Sequence, residues 1–388
     1  MRHVLPAVAL STVPFLAAAC TSTTTDPNTP AGVAGAISFT SSDSTCEVSS
    51  ESVPAGNLVF NVSNTGSKVT EFYLYSADGK RIVGEVENIG PGLQGKLIVT
   101  ANQGSYQTAC KPGMVGKGIR ADFTVTEPPA GSRAPTEDAV LISRAQNDYR
   151  VWVQEQADML VAQTQRFVAA YKSGNDDRAR TLYPQARSFW ESIETVAESF
   201  GNLDPKTDAR EADLTEGQKW TGWHRIEKDL WPQRAKNYTP LTHEQRAFYG
   251  DDLLTNVTTV RDKIRSLTFT TDQIANGSSG LMEEVATGKV TGEEEYWSHT
   301  DLWDFAANVK GARVAFEDVK PILERRDPAL AKTLTKRFAE IERLLAQQEV
   351  GTGYRLYTDL SRAEVKRLAD AVNALSESLS HLTAAVLP

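Results

Sequence analysis

Histidine and cysteine are scarce in this chain: 388 residues carry five of the former and three of the latter. One histidine, His3, precedes His224. No Walker loop, dinucleotide fingerprint or nucleophile elbow is present, which removes the common nucleotide-binding and serine-hydrolase chemistries. His-Glu-x-x-His is also missing, so a thermolysin-like zinc peptidase is not supported. Positive charge is not in excess either. The formal net charge is −9, which argues against a nucleic-acid partner, whose phosphates need a basic face. Beyond residue 20 no apolar run is long enough to cross a bilayer.

What is present falls into unequal parts. Residues 1–134 hold 9 basic and 10 acidic side chains, whereas residues 135–388 hold 32 and 40. The surplus negative charge lies in the second part and suits a cation partner, although from charge alone a solvated acidic surface is the simpler account. At the start, Arg2 and His3 precede an apolar run from Val4 to Ala19, the layout of a signal peptide over 1–19. Leu16-Ala-Ala-Ala-Cys20 reads as a bacterial lipobox that makes Cys20 the lipidated N-terminus, although Ala17 stands where the usual Leu would be. Residues 20–35 then form a polar tether. The expectation is export and attachment to the cell membrane through a lipid anchor. In that compartment Cys46 and Cys110 are candidates for a disulfide.

Between about Ile37 and Val125 the pattern is that of strands. Leu58-Val-Phe-Asn-Val, Glu71-Phe-Tyr-Leu-Tyr, Lys96-Leu-Ile-Val-Thr and Ala121-Asp-Phe-Thr-Val are rich in β-branched and aromatic residues. Turn residues such as Asn64-Thr-Gly and Ala77-Asp-Gly separate them. Residues 36–127 therefore read as an all-β sandwich. Two imidazoles and a thiolate are what a blue-copper centre requires, and this segment has no histidine. Cys46, Glu71, Cys110 and Met114 could form another metal site, with a simple disulfide as the alternative. Residues 128–135 are a Pro/Gly linker. From Thr136 to 388 the period is helical, with runs to Lys172 and over 175–200, 211–231, 242–268, 271–287, 293–317, 327–348 and 361–384. This is an all-α bundle.

Two pairs in the bundle carry chemistry. His224 and Glu227, in Trp220-Thr-Gly-Trp-His-Arg-Ile-Glu, are three apart and share a helix face. Glu191 and Glu194, in Phe189-Trp-Glu-Ser-Ile-Glu, repeat the spacing. Carboxylates among tryptophans are costly unless paired or metal-bound. One imidazole with several carboxylates is a hard donor set that favours Fe³⁺, Ca²⁺ or Mn²⁺, with Zn²⁺ possible.

The stretch Trp220–Trp231 resembles the signature of the imelysin, or M75-peptidase-like, domain of EfeO-type iron-uptake components. Leu203-Asp-Pro-Lys-Thr-Asp-Ala-Arg-Glu-Ala-Asp, Gly280-Leu-Met-Glu-Glu-Val-Ala and Thr300-Asp-Leu-Trp-Asp-Phe are similar to other stretches of that family. Val53-Pro-Ala-Gly and Glu85-Val-Glu-Asn-Ile-Gly-Pro-Gly resemble its cupredoxin-like module. The resemblance implies an extracytoplasmic protein that captures iron and works with a membrane iron permease and a dye-decolorising haem peroxidase. It carries a metal site over to His224, Glu227, Glu191, Glu194 and Asp208, with Glu284 added, and a second to Cys46, Glu71 and Cys110. No residue is assigned to peptide hydrolysis, so an enzyme is not expected. Two alternatives stay open: a metal-dependent peptidase with Glu227 as base, and a polysaccharide-binding lipoprotein that uses its seven tryptophans.

Overall fold

The computed structural model describes residues 36–128, 136–214 and 216–387. The expected signal peptide, the expected tether with Cys20 and most of the expected linker lie outside these residues.

Strands β1 (Ile37–Ser41), β2 (Cys46–Val48), β4 (Gly56–Asn64) and β7 (Gln94–Ala101) form one sheet in the order β2-β1-β4-β7. Strands β3 (Ser52–Pro54), β5 (Thr70–Ser76), β6 (Ile82–Ile89), β8 (Gly104–Cys110) and β9 (Ile119–Thr126) form the second, ordered β3-β9-β8-β5-β6. Alternation explains the packing: Phe39, Phe60, Phe72 and Phe123 point inward from four strands and meet ring to ring between the sheets. Leu58, Val62, Leu74 and Val99 complete that buried layer, as expected for half-buried strands. A disulfide joins Cys46 on β2 to Cys110 on β8 and ties one sheet to the other.

The helical part comprises α1 (Thr136–Lys172), α2 (Asp176–Glu191), α3 (Glu194–Glu198), α4 (Asp204–Thr207), α5 (Trp223–Leu230), α6 (His243–Ile264), α7 (Thr271–Thr287), α8 (Asp301–Arg326), α9 (Pro328–Ala346), α10 (Arg362–Leu379) and α11 (Leu382–Val386). A short hairpin, β10 (Glu349–Val350) with β11 (Gly353–Tyr354), follows α9. Helix α1 packs on α2, α6 and α8, while α7 packs on α8, α10 and α11, so α8 is shared by both groups. No described helix is long and apolar enough to cross a membrane.

Three sequence expectations are corrected. The run over 175–200 is broken at Ser192 and Ile193, so Glu191 ends α2 and Glu194 begins α3 rather than sharing one helix. Asn308 of α8 stabilises the break by donating to the Glu191 carbonyl at 2.8 Å. The run over 211–231 is helical only at a 3-10 turn, Glu211–Asp213, and at α5, because Gly217 and Gly222 take positive φ between them. The run over 293–317 starts late, at Asp301, whose carboxylate takes the Glu295 backbone N–H at 3.0 Å and diverts it from a helix.

The two parts touch. Strand β7 is the edge of its sheet, and α7 covers it: Thr100 N–H donates to Asp272 Oδ2 at 2.9 Å, and Asn276 Nδ2 donates to the Ile98 carbonyl at 2.8 Å. Edge groups that would otherwise template pairing with another chain are thus satisfied internally.

Candidate metal centre

The centre is assembled at the break between α2 and α3. Gly311 of α8 allows it, since a Cβ there would stand 2.2 Å from the Ser192 carbonyl oxygen. Gly222 has the corresponding role before α5. Its φ is +88°, and a Cβ would lie 2.1 Å from the Thr207 carbonyl oxygen. The Thr-Gly-Trp-His segment can therefore run against α4 and bring His224 to Asp208.

His224 is 1% exposed. Its Nδ1 lies 3.2 Å from Glu227 Oε2, while Nε2 lies 3.4 Å from Asp208 Oδ1 and 3.5 Å from Glu294 Oε1. That Nε2 is buried without a hydrogen-bond partner. Glu227 is held from three directions: its Oε1 accepts the backbone N–H groups of Trp297 and Ser298 at 2.8 and 2.6 Å, and Oε2 faces the imidazole. Once the ring is neutral, an Nδ1–H donated to Glu227 presents the Nε2 lone pair to an ion, the carboxylate–histidine arrangement that orients metal-binding imidazoles.

Two permanent cations sit among the acids. Arg187, fully buried, is within ion-pair range of Glu191 (2.8 Å), Glu294 (3.0 Å), Glu295 (2.7 Å), Asp304 (3.4 Å) and Asp208. Lys289 Nζ bridges Glu191 Oε2 and Glu194 Oε2 at 2.8 and 2.7 Å. Glu191, Glu194, Asp208, Glu227, Glu294, Glu295 and Asp304 make seven carboxylates against these two buried cations and a third at the rim, Arg210, which reaches Glu294 Oε2 at 3.4 Å. Asp304 Oδ1, Asp301 Oδ2 and Asn308 Oδ1 are buried with no hydrogen-bond partner. Buried orphan acceptors are expensive and ask for a cation or a proton.

The protonation equilibria reflect this surplus. Burial, and then the neighbouring Glu295, push the Glu227 carboxyl up to about 7. Burial lifts Asp301 to about 7 as well and raises Glu194, Asp208 and Asp304. Burial and Arg187 oppose a charged His224, yet Glu227, Glu294 and Asp208 together hold its pKa well above the ordinary imidazole value. Glu294 goes the other way: burial is outweighed by Lys289, His224 and Arg187, which keep it ionised well below the usual range.

Among the described residues, three sets of donors converge closely enough for one ion: Asp208, His224 and Glu294; His224, Glu227 and Glu295; Glu191, Glu194 and Asp208. His224, Glu227, Glu191, Glu194 and Asp208 are therefore brought together from α2, α3, α5 and the residue after α4. Glu284 is in none of these sets. It lines a cleft of roughly 500 Å³ between the sandwich and the helices, with Glu85, Glu87, Glu198 and Glu283, and burial, the largest influence on it, raises its carboxyl to about 7. In the sandwich, Glu71 accepts from Tyr73 Oη at 2.7 Å and pairs with Lys111 at 3.2 Å. The Cys46 and Cys110 sulfurs are bonded to each other, and Met114 is exposed in a turn.

Sequence reasoning did not single out Arg187, Lys289, Glu294, Glu295, Asp301 or Asp304. The signal used for Glu191 was available for the acids: Glu293-Glu-Glu-Tyr-Trp and Asp301-Leu-Trp-Asp also set carboxylates among aromatic residues. Nothing local marks Lys289, whose partners come from another helix pair.

Residues 145–382 match the family model for imelysin, peptidase M75, and residues 9–125 match that for the cupredoxin-like domain. The iron uptake system component EfeO of Yersinia pestis is 34% identical over 350 residues, covering 89% of this chain and 90% of that protein. The protein of the same name from Yersinia pseudotuberculosis serotype I is 34% identical, and that from Escherichia coli O157:H7 33%, each with the same coverage. These relatives bear the name of an uptake component and not of an enzyme. With a β-sandwich leading into a helical domain built around His224-x-x-Glu227, this chain belongs to the EfeO-type family, in which a cupredoxin-like domain precedes an imelysin domain.

Proposed function

We propose that this protein is the extracytoplasmic iron-binding component of an uptake system and that its helical domain captures iron and hands it to a membrane permease. One observation carries the reading: His224 Nε2 is buried, unpartnered and faces Asp208 and Glu294 within a surplus of carboxylates. One imidazole nitrogen with several carboxylate oxygens suits ferric or ferrous iron better than thiol-preferring ions, and zinc would compete in vitro. His224, Asp208 and Glu294 would hold the ion, with Glu227 and Glu295 orienting the imidazole from its Nδ1 side. Glu191 and Glu194 stand next to this position, and Glu284 in the adjoining cleft would receive an ion arriving or leaving. Cleavage at Cys20 and lipidation there would keep the protein at the membrane beside a permease and a dye-decolorising haem peroxidase.

The test is calorimetric titration of chelator-treated protein with ferric citrate, and with Fe²⁺ under argon. Saturable binding that is lost in His224→Ala is expected. Binding unchanged in His224→Ala, or absent from the wild type, would remove the reading.

A further inference from the structure

Arg187 reaches a carboxylate of each convergent donor set, but only the set made by Glu191, Glu194 and Asp208 is bridged by a second buried cation. Lys289, 1% exposed, places its ammonium between Glu191 Oε2 and Glu194 Oε2. Arg187 takes the other Glu191 oxygen at 2.8 Å and also Asp208. Asn308 Nδ2 completes the enclosure by donating to Glu194 Oε2 at 3.0 Å. A buried ammonium is a compact unit charge, comparable to a dehydrated alkali ion, and without it Glu194 would be left with no cation.

Lys289 is also tethered to the part of the chain that completes the other two sets. It lies on the 3-10 turn Lys289–Thr291 directly after α7, five residues before Glu294, and the connection to α8 carries both Glu294 and Glu295. That connection is fastened at its far end, where Glu227 accepts from Trp297 and Ser298 and Arg234 donates to their carbonyls at 2.6 and 2.8 Å.

From this arrangement we infer that Lys289 is an internal competing cation. It holds Glu191 and Glu194 out of the metal's coordination, limits the centre to one tightly bound ion, and lowers affinity so that the ion can leave. The inference rests on the metal-binding reading above. Under it Glu191 and Glu194 are counter-ions of Lys289 in the resting protein, not ligands, and Lys289 is a residue that sets affinity and stoichiometry.

Lys289→Met keeps most of the unbranched apolar stem and removes the charge. Titrated with ferric citrate beside the wild type, it is expected to bind about tenfold more tightly or to take up a second equivalent, since an adjoining positive charge has been removed from a low-dielectric site. Affinity and stoichiometry equal to wild type would overturn the inference. Because the single variant leaves buried Glu194 without a cation, Lys289→Met with Glu194→Gln serves as the second test, since that pair of changes is neutral in charge. It should bind one equivalent with wild-type affinity. A loss beyond tenfold would make Glu194 a ligand and overturn the inference. If the wild type binds no iron but Lys289→Met does, the competing cation stands and the carrier reading falls; if neither binds, both fall.

Discussion

Each half of this molecule buries a glutamate among groups that could hold a metal, and the two sites are finished to different degrees. In the sandwich, Glu71 is 4% exposed, but Lys111 and Tyr73 satisfy it and the nearby thiols have been used in a disulfide. In the helical domain, seven carboxylates share three permanent cations, Arg187, Lys289 and Arg210, and His224 Nε2, Asp301 Oδ2 and Asp304 Oδ1 have no hydrogen-bond partner. A buried acid is not by itself a sign of function. Asp229, fully buried, takes bonds from Tyr171, Tyr238 and the Leu241 N–H and pairs with Arg246, which closes its account. The informative quantity is what remains unpaired, because a fold retains an uncompensated buried acceptor at a cost of about 1–3 kcal/mol each.

The largest effect expected from this contrast is on iron binding. His224→Ala or Asp208→Asn should lower ferric affinity by about a hundredfold or more, whereas Cys46→Ser with Cys110→Ser should leave it within a few-fold. Equal losses from both would erase the distinction between the halves. The same cysteine pair carries the largest expected effect on stability. Opening a loop with a sequence separation of 64 residues should cost the sandwich about 2–4 kcal/mol, measured by urea denaturation followed in the β-domain.

Next in size is Glu227→Gln. Gln still accepts the two N–H groups at Oε1 but no longer opposes the imidazole with a charge. A positioning role predicts a loss of about 10- to 100-fold in iron affinity, checked by competition with citrate.

The metal-free protein should also respond to pH in a defined direction. Glu227 titrates near 7 in the fold against an ordinary 4.5, and Asp301 near 7 against 3.8, because burial disfavours their charged forms. Between those limits the folded state holds more protons than the unfolded state, so stability falls as pH rises. His224 adds to the trend: its raised pKa gives stability that is present below 6.5 and is lost as pH climbs through the folded value. Chelator-treated protein should therefore melt at a higher temperature at pH 5.5 than at pH 8, and bound iron should shrink the difference. The smallest effect is expected from Glu71→Gln, about 1–2 kcal/mol in the sandwich with iron affinity unchanged.

Much of this architecture was legible. The strands read from Leu58, Glu71, Lys96 and Ala121 are β4, β5, β7 and β9, and the helical runs over 242–268, 271–287, 327–348 and 361–384 contain α6, α7, α9 and α10. The longer strands β6 and β8 were not read, nor were the short ones β2, β3, β10 and β11. Strand β6 has no clean alternation of exposure because it faces both its own sheet and the helical domain, so Glu85 and Glu87 interrupt the apolar pattern. The pairs Glu191 and Glu194, and His224 and Glu227, stood out because carboxylates next to Trp190 and Trp223 demand compensation. What compensates them did not stand out. Lys289 looks like an ordinary surface lysine beside Gly288, and Arg187 like the polar face of α2.

Composition and local pattern thus determined the class of each half and the hard, carboxylate-rich character of the candidate donor set, and marked Cys46 and Cys110 as a pair for either a disulfide or a metal. Those properties follow from residue type and short-range spacing, which the chain carries with it when unfolded. Only the tertiary structure decided which acids meet. Asp208, His224, Glu294 and Asp304 come from separate elements up to 96 positions apart, joined where Gly222 and Gly311 let backbones approach. It also decided that Glu191 and Glu194 meet an ammonium there, because charge balance in a buried site is a sum over neighbours that sequence distance does not reveal.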